Sequence, residues 1–240
     1  MSALQAMLKK FNFEQHTCEK HGTVSRVIGE QGCPSCELEQ VQKHAIDKHT
    51  ASLKQHRIDC ANIPARYKTE EFIRKTEEQK RQASDAWAFA QKAAKGWAAC
   101  IFSGRHGNGK TLLACRLIVR FINEYALSAK YTTCKGIVSE IRKAYKTEGM
   151  TEASQIEKMA MEYDLLVIDE ADVLGSSENE YALIAEVVGM RYANSKPIMV
   201  ISNRTPQELE EVLGERIMSR LSENNTTVIF NGEDYRRASC

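Results

Sequence analysis

Gly104-Arg105-His106-Gly107-Asn108-Gly109-Lys110-Thr111 fits the G-x-x-x-x-G-K-[ST] spacing of a phosphate-binding loop. Glycines at such spacing let successive backbone N–H groups curl inward around an anion. A helix starting at the end of the loop adds the partial positive charge of its N-terminus. In this reading Gly104, Gly107, Asn108 and Gly109 form the cradle and Lys110 reaches the β- and γ-phosphates. The Thr111 hydroxyl ligates Mg²⁺. The flanks suit the motif: Trp97–Ser103 is a short apolar run of buried-strand type, and Leu112–Ile122 is apolar on nearly every side, as a helix under a sheet would be. The chemistry indicated is binding of a nucleoside triphosphate.

A second constellation lies downstream. Leu165-Leu166-Val167-Ile168 reads as a buried strand that ends on Asp169-Glu170-Ala171-Asp172. Acids emerging at the C-terminal edge of a parallel strand sit where open α/β sheets bind ligands. Asp169 would hold Mg²⁺ through its water shell, and Glu170 would act as general base on the attacking water. Asp172 reads as an exposed neighbour. Pro197–Ser202 is another buried strand, ending on Asn203, whose amide would bond the γ-phosphate or the water. Arg216 and Arg220 stand four apart on one helical face, suited to offering a guanidinium to a neighbouring subunit's γ-phosphate. Arg142, Lys143, Tyr145 and Lys146 interleave basic groups with an aromatic, which suits a nucleic-acid backbone with a stacking base, or else a solvated helix face.

The front of the chain carries a different chemistry. Cys18-Glu19-Lys20-His21 and Cys33-Pro34-Ser35-Cys36 are two C-x₂-[CH] pairs separated by eleven residues. Two such knuckles are what a tetrahedral Zn²⁺ site needs, and four protein ligands leave no open position for catalysis. His16 is an alternative to His21 as fourth ligand. Around forty residues with little apolar content hold no fold alone, so the metal would be structural.

The elements that must position these groups follow from the pattern. Glu37 to about Asp59 lacks Gly and Pro and reads as an amphipathic linking helix, on which His44, His49 and His56 are solvated. Ile63-Pro64-Ala65-Arg66-Tyr67 with Phe72 is a lead-in that could lie against the nucleotide base or act as a structural staple. Helices are expected over Glu77–Lys95, over most of Gly136–Ala160, over Glu178–Tyr192 and over Pro206–Leu213. Strands are expected at Ala129–Thr133 and Thr226–Phe230. The expected domains are a zinc module (1–37), a linker helix (38–61) and an ATPase domain (62–240).

The chain of 240 residues has 42% hydrophobic and 27% charged residues and a net charge of +1, so any nucleic-acid contact must come from a local patch. No apolar run is long enough to span a membrane, and the N-terminus lacks a signal-peptide pattern. Eight cysteines without a secretion signal point to a reducing, cytoplasmic setting. Cys100 and Cys115, in apolar runs, read as core residues.

Gly104–Thr111, Leu165–Asp172, Val200–Asn203, Gly214–Arg220 and Val228–Asn231, with the lead-in, resemble the DnaC-type replicative-helicase loaders. These are AAA+ ATPases, and the IstB-type transposition helpers are close relatives. The resemblance covers about Asn62 to Arg237. It implies an α/β P-loop core, a five-stranded parallel sheet between helices, without a C-terminal lid. It further implies ATP binding, contact with single-stranded DNA, self-assembly into a spiral, and a front domain that grips a hexameric DnaB-type replicative helicase. In one branch of the family that domain binds zinc, which Cys18, His21, Cys33 and Cys36 fit. By position Asn203 matches sensor 1, Arg220 the arginine finger with Arg216 its neighbour, and Arg236 the sensor 2 arginine. The expected activity is an ATPase working as a slow switch that loads the helicase. The alternatives are a transposition helper or a P-loop small-molecule kinase.

Overall fold

The computed structural model describes residues 12–72, 74–143, 148–173, 177–232 and 234. The chain divides into two compact units, Met1–Leu53 and Lys54–Cys240.

In the first unit β1 (Phe13–Cys18) and β2 (Gly22–Val27) pair antiparallel, with Cys18 opposite Gly22 at the turn. Helix α1 (Pro34–Cys60) follows and continues into the second unit. Proline at its first position loses nothing, because that N–H would have no helical partner. No residue of α1 is buried, and Leu38, Val41, Ile46 and Leu53 are exposed. His44, His49 and His56 are exposed as expected. Cys33 is the one buried residue among those described in this unit, so hydrophobic burial supplies little of its stability.

The second unit is a parallel sheet between helical layers. It contains α2 (Ala65–Thr69), α3 (Glu77–Ala93), β3 (Ala99–Gly104), α4 (Lys110–Tyr125), β4 (Ala129–Thr133), α5 (Cys134–Arg142), α6 (Glu152–Met161), β5 (Leu165–Asp169), α7 (Glu178–Ala193), β6 (Ile198–Ser202), α8 (Pro206–Ser222) and β7 (Asn225–Phe230). The strand order is β4-β5-β6-β3-β7. Local chemistry sets the helix starts: Thr76 with Gln79 and Thr205 with Glu208 form capping boxes, the second reinforced by Pro206 in the first turn.

The run expected to be helical over Gly136–Ala160 is instead two helices. Gly149, at φ 79°, and the Thr151 cap, bonded to the Ser154 N–H, begin a new helix at Glu152. Helix α8 extends past the expected Leu213 but kinks at Gly214 (φ 70°, ψ 160°), so Arg216 and Arg220 sit on its second arm.

Strands β3, β5 and β6 are buried on both faces, as parallel strands covered by helices must be. Alternate residues feed two cores. Cys100, Phe102, Leu165, Val167, Met199 and Ile201 pack on one side against Phe89 and Ala90 of α3 and Ile118 and Phe121 of α4. Ala99, Ile101, Leu166, Ile168, Ile198 and Val200 pack on the other against Ile137, Ile156, Val187 and Leu221 of α5 to α8. Each such aliphatic side chain contributes about 1.5–3 kcal/mol on burial. Cys100 and Cys115 are wholly buried core residues, as read.

The N-terminal edge of the sheet is closed by a residue the sequence did not flag. Arg191 is fully buried and donates to the carbonyls of Ala160 (2.6 Å), Tyr163 (3.1 Å), Asp164 (2.8 Å) and Pro197 (2.7 Å). Burial pushes its guanidinium down to about 9, with the nearby Asp164 charge opposing. It joins the end of α6 to the starts of β5 and β6.

Candidate nucleotide site and metal centre

The candidate nucleotide site lies at the C-terminal ends of β3, β5 and β6, which adjoin in the sheet. Gly104 ends β3 beside β7, where a Cβ would lie 2.1 Å from the Phe230 carbonyl oxygen, so no side chain fits there. Gly109 takes a left-handed conformation (φ 92°, ψ 5°) that turns the loop into α4 at Lys110. Asn108 is buried and donates its amide to Phe230 O at 2.6 Å, tying the loop to β7. Lys110 Nζ lies inside the loop, donating to Gly104 O (2.6 Å), Arg105 O (2.5 Å) and Asn108 Oδ1 (3.1 Å). Its ammonium is thus already at the centre of the cradle, held by oxygens that a phosphate can replace. Phe72 of the lead-in lies alongside, its ring 3.2 Å from where a Gly109 Cβ would stand, while Ile63 is buried in the core.

Thr111 and Asp169 meet directly: the Thr111 hydroxyl donates to Asp169 Oδ2 at 2.8 Å. A hydroxyl and a carboxylate at this separation form an all-oxygen donor pair of the kind Mg²⁺ prefers. Asp169 also accepts from Tyr131 OH on Oδ2 (2.7 Å) and from the Glu170 N–H on Oδ1 (2.7 Å). Tyr131, missed in the sequence, carries no motif and sits on another strand. Burial, and then the Asp169 charge, push its phenol well above the usual range, so it remains a donor. Glu170 is exposed and adopts φ 53°, a strained conformation for a non-glycine residue, of the kind that clusters at working sites.

Asp172 corrects the reading of an exposed neighbour. It is half-buried, and its Oδ1 accepts from the Asn203 N–H (3.1 Å) and Ser202 Oγ (3.2 Å). Ser202 Oγ in turn accepts from the Arg204 N–H (3.0 Å), and Ser103 Oγ donates to Arg204 O (2.6 Å). The segment from Ser202 to Arg204 is therefore tied to Asp172 on one side and to Ser103, at the end of β3, on the other.

The other predicted residues that the structure describes stand apart from this cluster. Arg216 is exposed, and the Arg220 guanidinium lies over Gly189 of α7, about a van der Waals contact (3.5 Å) from where a Cβ would be. Arg142 forms an ion pair with Glu180 at 3.1 Å, and Lys143 is exposed. Tyr145, Lys146 and Arg236 lie outside the described residues.

In the first unit the structure brings Cys18, His21, Cys33 and Cys36 together, their ligand atoms all within 4.8 Å of one another. His21 Nδ1 stands 3.7, 3.7 and 3.4 Å from the sulfurs of Cys18, Cys33 and Cys36, and Cys18 Sγ lies 3.6 Å from Cys36 Sγ. Zn–S bonds of about 2.3 Å in a tetrahedron put sulfurs about 3.8 Å apart, so the cluster has the dimensions of a zinc site. His16 pairs with Val24 in the hairpin and is not in the cluster. The backbone N–H groups of His21 and Lys20 hold the Cys18 thiol at about 6, while its contact with Cys18 pushes Cys36 up to about 11. A dication would relieve that mutual repulsion. On the far side of the ring, His21 Nε2 meets Glu39 Oε1 at 3.1 Å, and Lys20 pairs with the other Glu39 oxygen. This carboxylate leaves Nδ1 free as the ligand atom.

With this geometry in hand, likeness to known proteins can be set beside it. Replicative helicase loader DnaC of Escherichia coli (strain K12) is 34% identical over 143 residues, a match spanning 58% of this chain and 56% of that protein. The chain thus spans little more than half the length of the curated relative. The crystal structure of the DnaC helicase loader aligns with a TM-score of 0.59 at 22% identity, covering 70% of this chain and 100% of that one. Domain III of the Thermotoga maritima replication initiation protein DnaA aligns with a TM-score of 0.58 at 20% identity, covering 73% of this chain and 72% of that one. Both likenesses speak to a shared fold. Among the described residues no helix is long and apolar enough to cross a membrane. The sequence matches the family of IstB-like ATP binding proteins over residues 37–239, so the chain belongs to that family.

Proposed function

We propose that the protein is a replicative-helicase loader: an ATP-driven switch that binds a hexameric DnaB-type helicase and single-stranded DNA during initiation of replication. The observation that carries this reading is the 34% identity to a replicative helicase loader. It is supported by the Lys110, Thr111, Asp169, Glu170 and Asn203 constellation at one sheet edge. The loop N–H groups and Lys110 bind the triphosphate, and Thr111 and Asp169 would hold Mg²⁺, which would supply positive charge to offset that of the phosphates. Glu170 takes the proton of a water that attacks the γ-phosphorus, Asn203 orients that water, and the bond to ADP breaks. Arg220, with Arg216 beside it, completes a neighbouring protomer's site on self-assembly, and Arg236 acts at the γ-phosphate. Arg142, Lys143, Tyr145 and Lys146 contact the DNA backbone and bases.

The division of labour follows the chain. The module 1–37, held by Zn²⁺ on Cys18, His21, Cys33 and Cys36, grips the helicase, 38–61 links, and 62–240 is the ATPase, all in the cytoplasm. Co-purification with a replicative helicase with and without ATP tests the proposal, alongside ATP turnover with and without single-stranded DNA. Helicase capture and DNA-stimulated turnover are expected. Binding to duplex DNA and a transposase instead would favour the helper role that the IstB-like family name suggests. A phosphorylated small-molecule product would favour a kinase.

A further inference from the structure

Asp169 is nearly buried, at 7% exposure, and a carboxylate in that position needs donors to stay ionised and oriented. On Oδ2 it has two side-chain donors among the described residues, Thr111 Oγ1 (2.8 Å) and Tyr131 OH (2.7 Å). The motif commits the threonine hydroxyl to the cation. Once that hydroxyl is engaged there, the phenol is the side-chain donor left on Oδ2.

The sheet delivers the phenol to this point. In the parallel β4–β5 pair Tyr131 stands opposite Val167, so Asp169 is two residues further along on the same face, the face toward α4. That diagonal is within reach of a long aromatic side chain. The tyrosine backbone is held as well. Tyr131 N–H donates to Ala61 O at 2.8 Å, and Asn62 Nδ2 donates to Tyr131 O at 3.2 Å, covering the outer edge of β4. A plain packing role would explain a buried ring, but not a hydroxyl aimed at the cation-binding carboxylate from a strand edge fixed by its own bonds.

We propose that Tyr131 is a positioning residue for divalent-cation binding, holding Asp169 in its metal-ready orientation through the hydroxyl–Oδ2 bond. The proposal rests on the reading of Asp169 as a cation-holding group in an ATP site, and its test keeps the two apart. Tyr131→Phe, Asp169→Asn and the double variant are compared with the wild type. A fluorescent ATP analogue is titrated in EDTA and across a Mg²⁺ series, with turnover measured in parallel. Binding in EDTA should be unchanged in Tyr131→Phe, while the Mg²⁺ concentration for half-maximal binding and turnover rises about 10-fold. In the double variant the tyrosine change should add nothing to Asp169→Asn. A Mg²⁺ dependence equal to wild type in Tyr131→Phe, or full additivity with Asp169→Asn, overturns the proposal. A wild type whose ATP binding ignores Mg²⁺ would instead overturn the underlying reading. Matching far-ultraviolet circular dichroism and melting curves establish that each variant folds. Should Tyr131→Phe not fold, Tyr131→3-fluorotyrosine, which keeps the hydroxyl, gives the second measurement: its fluorine resonance should move when Mg²⁺ joins bound nucleotide, and a static resonance counts against the proposal.

Discussion

Asp172 Oδ1 accepts the backbone N–H of Asn203 at 3.1 Å, joining the segment after the Walker-type strand to the strand end beside it. Removing that acceptor frees both Asn203 and the Ser202 hydroxyl. Asp172→Ala is expected to leave ATP affinity intact and lower turnover about 10-fold, roughly 1.4 kcal/mol of transition-state stabilisation. Binding titration beside steady-state hydrolysis decides it; a parallel fall in both would assign Asp172 to folding alone.

Glu170 stands exposed at φ 53°, its backbone N–H bonded to Asp169 Oδ1 at 2.7 Å. Glu170→Gln keeps the shape and loses the base. Nucleotide binding should persist while hydrolysis falls by a factor of about 10²–10⁴. Single-turnover hydrolysis at saturating ATP is the measurement, and an unchanged rate removes the glutamate from the chemistry.

The first unit has one buried residue among those described, so its order should depend on the metal. Chelation, or Cys33→Ser, should abolish a separate unfolding transition of this unit without moving the melting of the ATPase unit. Glu39→Ala, which removes the His21 Nε2 partner, should weaken Zn²⁺ affinity by about 10–100-fold in competition with a chromogenic chelator. Metal analysis returning no zinc in freshly purified protein would contradict this.

Arg191 holds four carbonyls at the closed end of the sheet. Arg191→Met leaves those acceptors without this donor, two of them, on Ala160 and Pro197, at buried bonds. A loss of about 3–5 kcal/mol is expected in urea unfolding of the ATPase unit. A change under 1 kcal/mol, roughly the value of a surface ion pair, would mean the carbonyls find other partners.

The sequence alone determined the features whose physics is local. Strand, glycine-rich turn and helix occupy one continuous stretch at Ala99–Tyr125, and four apolar residues ending on Asp169-Glu170 mark a buried strand by composition. The two cysteine knuckles carry their ligand spacing in the chain itself, although the hairpin that presents Cys18 was not foreseen, because its strands are short and polar. Tertiary structure decided the rest. The order β4-β5-β6-β3-β7 sets β6 between the phosphate-loop strand and the acidic strand, which is why Asp172 reaches Asn203 across 31 positions. The parallel register of β4 on β5 brings Tyr131 to Asp169. The packing of α7 takes Arg191, which no motif in the sequence marks, into a cage of carbonyls. Each of these depends on which strands become neighbours and in what register. Side-chain periodicity says which face of a strand is buried, but carries no information about the strand on either side.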